Sequence, residues 1–187
     1  LFFSTPMNLF HYSEEPNIAR FVPRAPLAHP DAEPLVYAID AEHSPLYYFP
    51  RDCPRVCLWL LPTTTPEDRE RYFTHVSASK IIAIESGWLP RLQNTTLYRY
   101  TFDSREFVAT GDHGVYVSCL TVSPLRIEPM DNLLEHLANA DVEIRITPSL
   151  VPLGRAVIET TLHFSLIRMR NAQGWEGAKG TPVGYPQ

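Results

Sequence analysis

Residues 8–24, NLFHYSEEPNIARFVPR, and residues 33–59, EPLVYAIDAEHSPLYYFPRDCPRVCLW, decide how this chain is read. In the first, the short apolar run Asn8–Tyr12 predicts a strand that ends on His11, Tyr12 and Ser13. In the second, Leu35–Ile39 predicts another strand, ending on Tyr37 and Ala38. Asp40 then caps a short helix over 41–48 that carries His43, Tyr47 and Tyr48. Arg55–Leu61 is a third, continuously apolar strand and reads as central in its sheet. Two strands that each deliver polar and aromatic side chains at one end form the floor of a cleft, and the remainder of the chain reads as its scaffold.

Working outward, Ser13-Glu14-Glu15-Pro16 reads as a helix start that must be brief, because Pro23, Pro26, Pro30 and Pro34 keep the following stretch a loop. Thr65-Pro66-Glu67 is a second helix start, with a threonine cap, proline in the first turn and acids next, and that helix runs to about Phe73. Lys80–Ile84 is a strand, and 87–92 a turn of helix interrupted at Pro90. Leu97–Phe102 and Glu106–Thr110 alternate around Asp103-Ser104 and read as a hairpin. Gly111-Asp112-His113-Gly114 is a tight turn. Strands follow at Val115–Ser118, Leu125–Glu128 and Val142–Ile146. A helix capped by Asp131 buries Leu133, Leu134 and Leu137, and Leu153–Phe164 reads as a last helix. The pattern is α+β: several hairpin-linked strands and few βαβ repeats. One domain spans 7–172. Residues 1–6 read as an upstream extension rather than a signal peptide, and 173–187, rich in glycine and proline, as a loosely ordered tail.

With 187 residues and a 44% hydrophobic fraction, the chain has material for a full core. A formal charge of -5 argues against bulk binding to nucleic acid or to an anionic membrane surface. Apolar runs fall short of the ~18 residues of a membrane span. Three cysteines, Cys53, Cys57 and Cys119, are too few and too odd for a disulfide framework, which places the protein in a reducing cytoplasm. Cys53-x-x-x-Cys57 with His43 and His75 lacks a second paired motif, so metal is not expected. Glycine-rich phosphate loops and G-x-S-x-G are missing, which disfavours ordinary dinucleotide folds, P-loop enzymes and esterases.

His11 at a strand end can bond a ribose hydroxyl or act as acid or base near neutral pH. Tyr37, Tyr47 and Tyr48 offer faces for stacking on a flat ring, His43 lies one turn before Tyr47, and Arg51 can reach an anion. Each also has a plainer role, in core packing or a local ion pair.

Two resemblances follow from these residues. LFHYSEEPNIARFVPR, YAIDAEHSPLYYFPRDCPR and ESGWLPRLQNTTLYRYTFD are similar to a bacterial family of uncharacterised proteins, a domain of unknown function. More loosely, His11-Tyr12-Ser13 and Val36-Tyr37-Ala38-Ile39-Asp40 resemble the first two motifs of the ADP-ribosyltransferase and RNA 2'-phosphotransferase superfamily. That resemblance implies a split mixed or antiparallel sheet with short flanking helices. It implies NAD or a related small-molecule nucleotide as ligand, His11 on a ribose with a catalytic part, and Tyr37 against nicotinamide. His11, Tyr12, Ser13, Tyr37, His43, Tyr47 and Arg51 would line the site. The glutamate that such transferases carry on a late strand has no clear counterpart here: Glu106 precedes the turn and Glu128 follows the next strand. A domain that has lost its chemistry and serves as a binding module is the alternative.

Overall fold

The computed structural model describes residues 7–25 and 31–176. The expectation for residues 1–6, and that for the tail beyond residue 176, lie outside them. The fold is α+β, with ten strands in two sheets among the described residues. The described residues divide into two compact units: one gathers those up to Arg51 with Thr95–Asp131, the other Asp52–Asn94 with those from Asn132 onward.

The first unit is a six-stranded antiparallel sheet. Its strands are β1 (Asn8–Ser13), β2 (Val36–Ile39), β5 (Leu97–Asp103), β6 (Val108–Ala109), β7 (Val115–Ser118) and β8 (Arg126–Met130), in the order β6-β7-β2-β1-β5-β8. Alternation sorts its side chains. Leu9, Val36, Ala38, Tyr100 and Phe102 point to one face, where Phe21, Phe107 and Val122 complete an apolar core. The segment after β1 crosses that face without forming the helix that Ser13–Pro16 suggested. Ser13 Oγ accepts the Glu15 amide, the Tyr100 hydroxyl donates to the Glu15 carbonyl and accepts from Ile18 N, and Phe21 exchanges both backbone bonds with Val122. The Glu15 carbonyl and the Ile18 amide are thereby spent on Tyr100 rather than on the bonds of a helical turn.

The second unit is a mixed four-stranded sheet of β3 (Arg55–Trp59), β4 (Lys80–Glu85), β9 (Val142–Thr147) and β10 (His163–Ile167), in the order β10-β3-β4-β9. β4 and β9 are parallel and the other pairs antiparallel. Every residue of β3 and β4 is buried, as a continuous apolar run covered on both faces requires. The helices α1 (Pro66–Phe73), α2 (Leu89–Asn94), α3 (Leu133–Asn139) and α4 (Val151–Val157) all belong to this unit. Thr65 caps α1, accepting the Asp68 amide, as its sequence signature implied.

Four further sequence expectations are corrected. Residues 97–110 do not form a hairpin: β5 lies between β1 and β8, while β6 pairs with β7 across the Gly111–Gly114 turn. The helix expected over Leu153–Phe164 stops at Val157, and His163–Ile167 pairs with β3, so its apparent helical stripe served a turn and a strand. Over 41–48 only a 3-10 turn forms, Ser44–Tyr47, although Asp40 does cap the preceding turn through the His43 amide. Asn132, at φ 52, rather than Asp131, stands at the cap position of α3. Within the expected tail, Trp175 packs on the apolar core of the second unit, close over Gly154, where an added Cβ would lie 2.9 Å from its ring.

Candidate functional site

β1 is bonded to β5 along all six of its residues, from Asn8↔Asp103 to Ser13↔Tyr98. Against β2 it pairs at one position, Phe10↔Ile39. Beyond that pair a side chain takes over from the ladder: His11 Nδ1 lies 3.2 Å from the Tyr37 carbonyl. A carbonyl oxygen only accepts, so the proton sits on Nδ1 and Nε2 keeps its lone pair. The imidazole ring meets Phe21 edge-on, with centroids 4.9 Å apart, on the core-side face. A strip of His11 still meets solvent, yet the packing around its ring removes most of its hydration. Burial pushes its pKa down to about 4, and the Arg51 guanidinium nearby lowers it further, against the bond to Tyr37. The burial thus favours the neutral ring, with its proton on Nδ1 toward Tyr37.

Tyr12, next along β1, turns to the other face. Its ring packs edge-on against Tyr48 at 5.1 Å, and its hydroxyl bonds Ser44. Burial, with Tyr48 beside it, raises its pKa well above the usual phenol range. The register carries this row across the sheet: Tyr12 is opposite Arg99 on β5, and Arg99 opposite Glu128 on β8. Arg99 Nη2 donates to Glu128 Oε2 at 2.9 Å, and its guanidinium lies over the Phe10 ring, 5.6 Å from the centroid. Its Nε is buried without a hydrogen-bond partner among the described residues, and so is Thr101 Oγ1, two residues along the same face of β5. Two orphaned polar atoms side by side are unusual in a folded sheet, where almost all such atoms are paired. Tyr37 belongs to this face as well, since its neighbours Val36 and Ala38 enter the core on the opposite side.

The remaining expected residues fall into separate surroundings. His43 is buried; Asp40 Oδ1 accepts both its backbone N–H and its Nδ1–H, each at 2.8 Å. Gly114, at φ +73, lies against that ring, and a Cβ there would come within 2.3 Å of His43 Nδ1. Its carbonyl accepts the Asp40 amide at 2.9 Å, and His113 stands with its ring 6.2 Å from His43. Tyr47 is buried in the 3-10 turn. Ser13 is tied to its own turn through Glu15. Arg51 is exposed, with its amide held by the Glu14 carboxylate. The structure thus joins Tyr12, Tyr37, Ser44 and Tyr48 with Arg99, Thr101 and Glu128 on one side of the sheet, and sets His11 on the other.

Arg99 and Thr101 were missed from the sequence, and Glu128 was weighed there only as a late-strand acid and set aside. The alternating run Leu97–Asp103 marked Arg99 as facing away from the core. Nothing local says that residues 87 positions apart, Tyr12 and Arg99, are neighbours. Cys53 and Cys57 are buried in the second unit with their thiols pushed up to about 12 by burial, so both stay protonated. No group of three or more metal-ligating side chains gathers among the described residues, and no helix there is long and apolar enough to cross a membrane.

Compared with known proteins, the chain matches DUF6886, a family of unknown function, over residues 10–172. No curated protein and no solved structure matches it.

Proposed function

The chain belongs to the DUF6886 family, and from that footing we propose that its six-stranded unit binds NAD or a related nucleotide on the face that carries Tyr12, Tyr37, Arg99 and Glu128. The observation that carries the reading is the buried, unpartnered Arg99 Nε in a row with Tyr12, with Thr101 Oγ1 unpartnered beside it. A guanidinium N–H and a hydroxyl on one side of a sheet suit a ligand that brings oxygen acceptors, such as ribose hydroxyls or phosphate. Tyrosines alongside supply apolar faces for its flat rings. His11 acts as a positioning residue: its Nδ1–H holds the Tyr37 carbonyl where the β1–β2 ladder stops, and so sets where Tyr37 stands. The looser resemblance to ADP-ribosyltransferases points the same way, toward NAD.

A second reading keeps the ligand and omits the chemistry. Glu128 is the acid beside Arg99 on this face, and Arg99 and Arg126 both engage it, which spends its charge on neighbours rather than on a developing cation at ribose. Titration calorimetry with NAD, ADP-ribose and a 2'-phosphorylated dinucleotide tests the binding. At least one should bind, and Arg99→Met should weaken it by tenfold or more while the protein stays folded. Silence from all three at millimolar concentration overturns the reading. Incubation with labelled NAD separates the two versions, since turnover supports the transferase and binding without turnover supports the module.

A further inference from the structure

In the four-stranded unit, β10, β3 and β4 meet at one end in the register His163↔Trp59 and Trp59↔Lys80. Phe164, Leu58 and Ile81, each next to one of these residues, join the apolar core on one face. Alternation therefore stands His163, Trp59 and Lys80 in a row on the other. The His163 imidazole stacks on the Trp59 indole, with centroids 4.2 Å apart and 25° between the planes.

Lys80 is only 7% exposed, and its ammonium makes no hydrogen bond or ion pair among the described residues. An ammonium is strongly hydrated, and lysine is almost never buried to this degree without a partner. The sheet around it does not supply one. Val142 follows Lys80 in the row, and the next row on this face, Ser165, Cys57, Ile82 and Ile144, carries no acid. Asp141, one residue before Val142, gives its carboxylate to the Ser79 amide at 3.0 Å. Glu143 belongs to the opposite face, where it holds Arg145 at 2.9 Å.

The kind of cation narrows the partner. Of the 16 basic residues in the chain, only Lys80 and Lys179 are lysines. Where arginine is the rule, a compact ammonium in place of the broad guanidinium fork suits a small anion. One unpaired positive charge balances one negative charge, which matches a carboxylate rather than a doubly charged phosphate ester. Next to that charge, the indole and the imidazole form a flat wall.

We infer that Lys80 is the charged end of a binding site for a small planar carboxylate, aromatic or conjugated, with the Trp59–His163 stack along its flat body. The ammonium holds the carboxylate and the rings supply apolar contact. The site lies within the second unit and does not depend on nucleotide binding by the first.

Having two lysines makes the chain easy to probe. In protein isotope-labelled at the lysine ε-carbon, magnetic resonance should show two side-chain signals, and Lys179→Arg assigns them. Benzoate should move the Lys80 signal saturably, in the millimolar range or below, and leave that of Lys179 in place. Acetate, with the same charge and no ring, should bind at least tenfold more weakly, and inorganic phosphate should give no saturable shift. By titration calorimetry, Lys80→Met, which keeps the apolar stem, should weaken benzoate tenfold or more. His163→Leu should bring benzoate down to the level of acetate. Circular dichroism checks that each variant is folded, and where one is not, the titration of the parent decides. A Lys80 signal that benzoate leaves unmoved overturns the proposal. So does acetate or phosphate that binds as well as benzoate, or benzoate affinity unchanged in folded Lys80→Met.

Discussion

The two units use β-structure in opposite ways. In the four-stranded sheet, β3 and β4 pair through five residues, all buried, and the strands carry cysteine, isoleucine, leucine and alanine between their ends. The acid at the end of β4, Glu85, is buried but satisfied: it accepts the amides of Leu150 and Gln173. In the six-stranded sheet, β1 and β2 pair at one position, and one face bears a polar row with two unpartnered atoms. Complete ladders and a satisfied acid belong to a scaffold. A ladder that stops early, and polar atoms buried without bonds, cost stability that folding alone does not require. The second unit carries one such atom too, the buried Tyr72 hydroxyl, so it is the stopped ladder together with two orphaned atoms on one strand that sets the six-stranded sheet apart.

That contrast breaks most readily on the scaffold side. Ile82→Ala, in the fully buried centre of β4, should lower stability by about 3 kcal/mol in urea unfolding. A loss under 1 kcal/mol would show that the four-stranded sheet repacks easily and is no scaffold. Gly114→Ala should cost about 2–3 kcal/mol, through its positive φ and the collision with His43, measured the same way. A near-neutral result would mean that the β6–β7 turn is loosely held.

A pH effect of about 2 kcal/mol should follow from His11. Its folded pKa, about 4, lies below the ordinary 6.5, so the unfolded chain binds the proton more readily. Stability should be whole above pH 6.5 and fall as pH drops from 6.5 to 4. His11→Gln should flatten that window, and an unchanged slope would assign it to other groups. Nucleotide affinity should show no His11-dependent step between pH 6 and 8. The smallest effect has the opposite sign. Thr101→Val removes a buried hydroxyl without a partner and should leave stability unchanged or raise it by about 0.5–1 kcal/mol. If it destabilises by more than 1 kcal/mol, Thr101 is bonded in solution and the polar face is less strained than the sheet suggests.

The strength of local signals decided what could be read from the chain. The α+β class, the central apolar strands β3 and β4 and the capped start of α1 follow from runs and caps that need no distant partner. The largest failures are partner choices. The alternation of 97–103 is real, but the neighbours of β5 are β1 and β8, not the next strand. Leu153–Phe164 carries apolar residues at helical spacing, yet the helix ends at Val157 and its last two residues, His163 and Phe164, pair with β3. The site divided along the same line. Tyr12 and Tyr37 were legible as residues at strand ends. Tyr12 and His11, adjacent in sequence, were expected in one cleft, but strand alternation sends them to opposite faces. Arg99 and Thr101 could not be found, because a missing hydrogen bond is visible only in three dimensions.

The parallel pairing of β4 with β9 has a consequence for how the chain is made. Lys80–Glu85 must wait for Val142–Thr147, and all the strands of the six-stranded sheet from β5 to β8 are synthesised in between. At the usual rate of about 5–20 residues per second, the ribosome leaves the pair of β3 and β4 without its third strand for roughly 3–12 s. During that interval the most apolar strands of the protein have an open edge and uncovered faces. A nascent chain stalled before Val142 should therefore be a better chaperone client than the finished protein, and the growing chain is most prone to aggregate then.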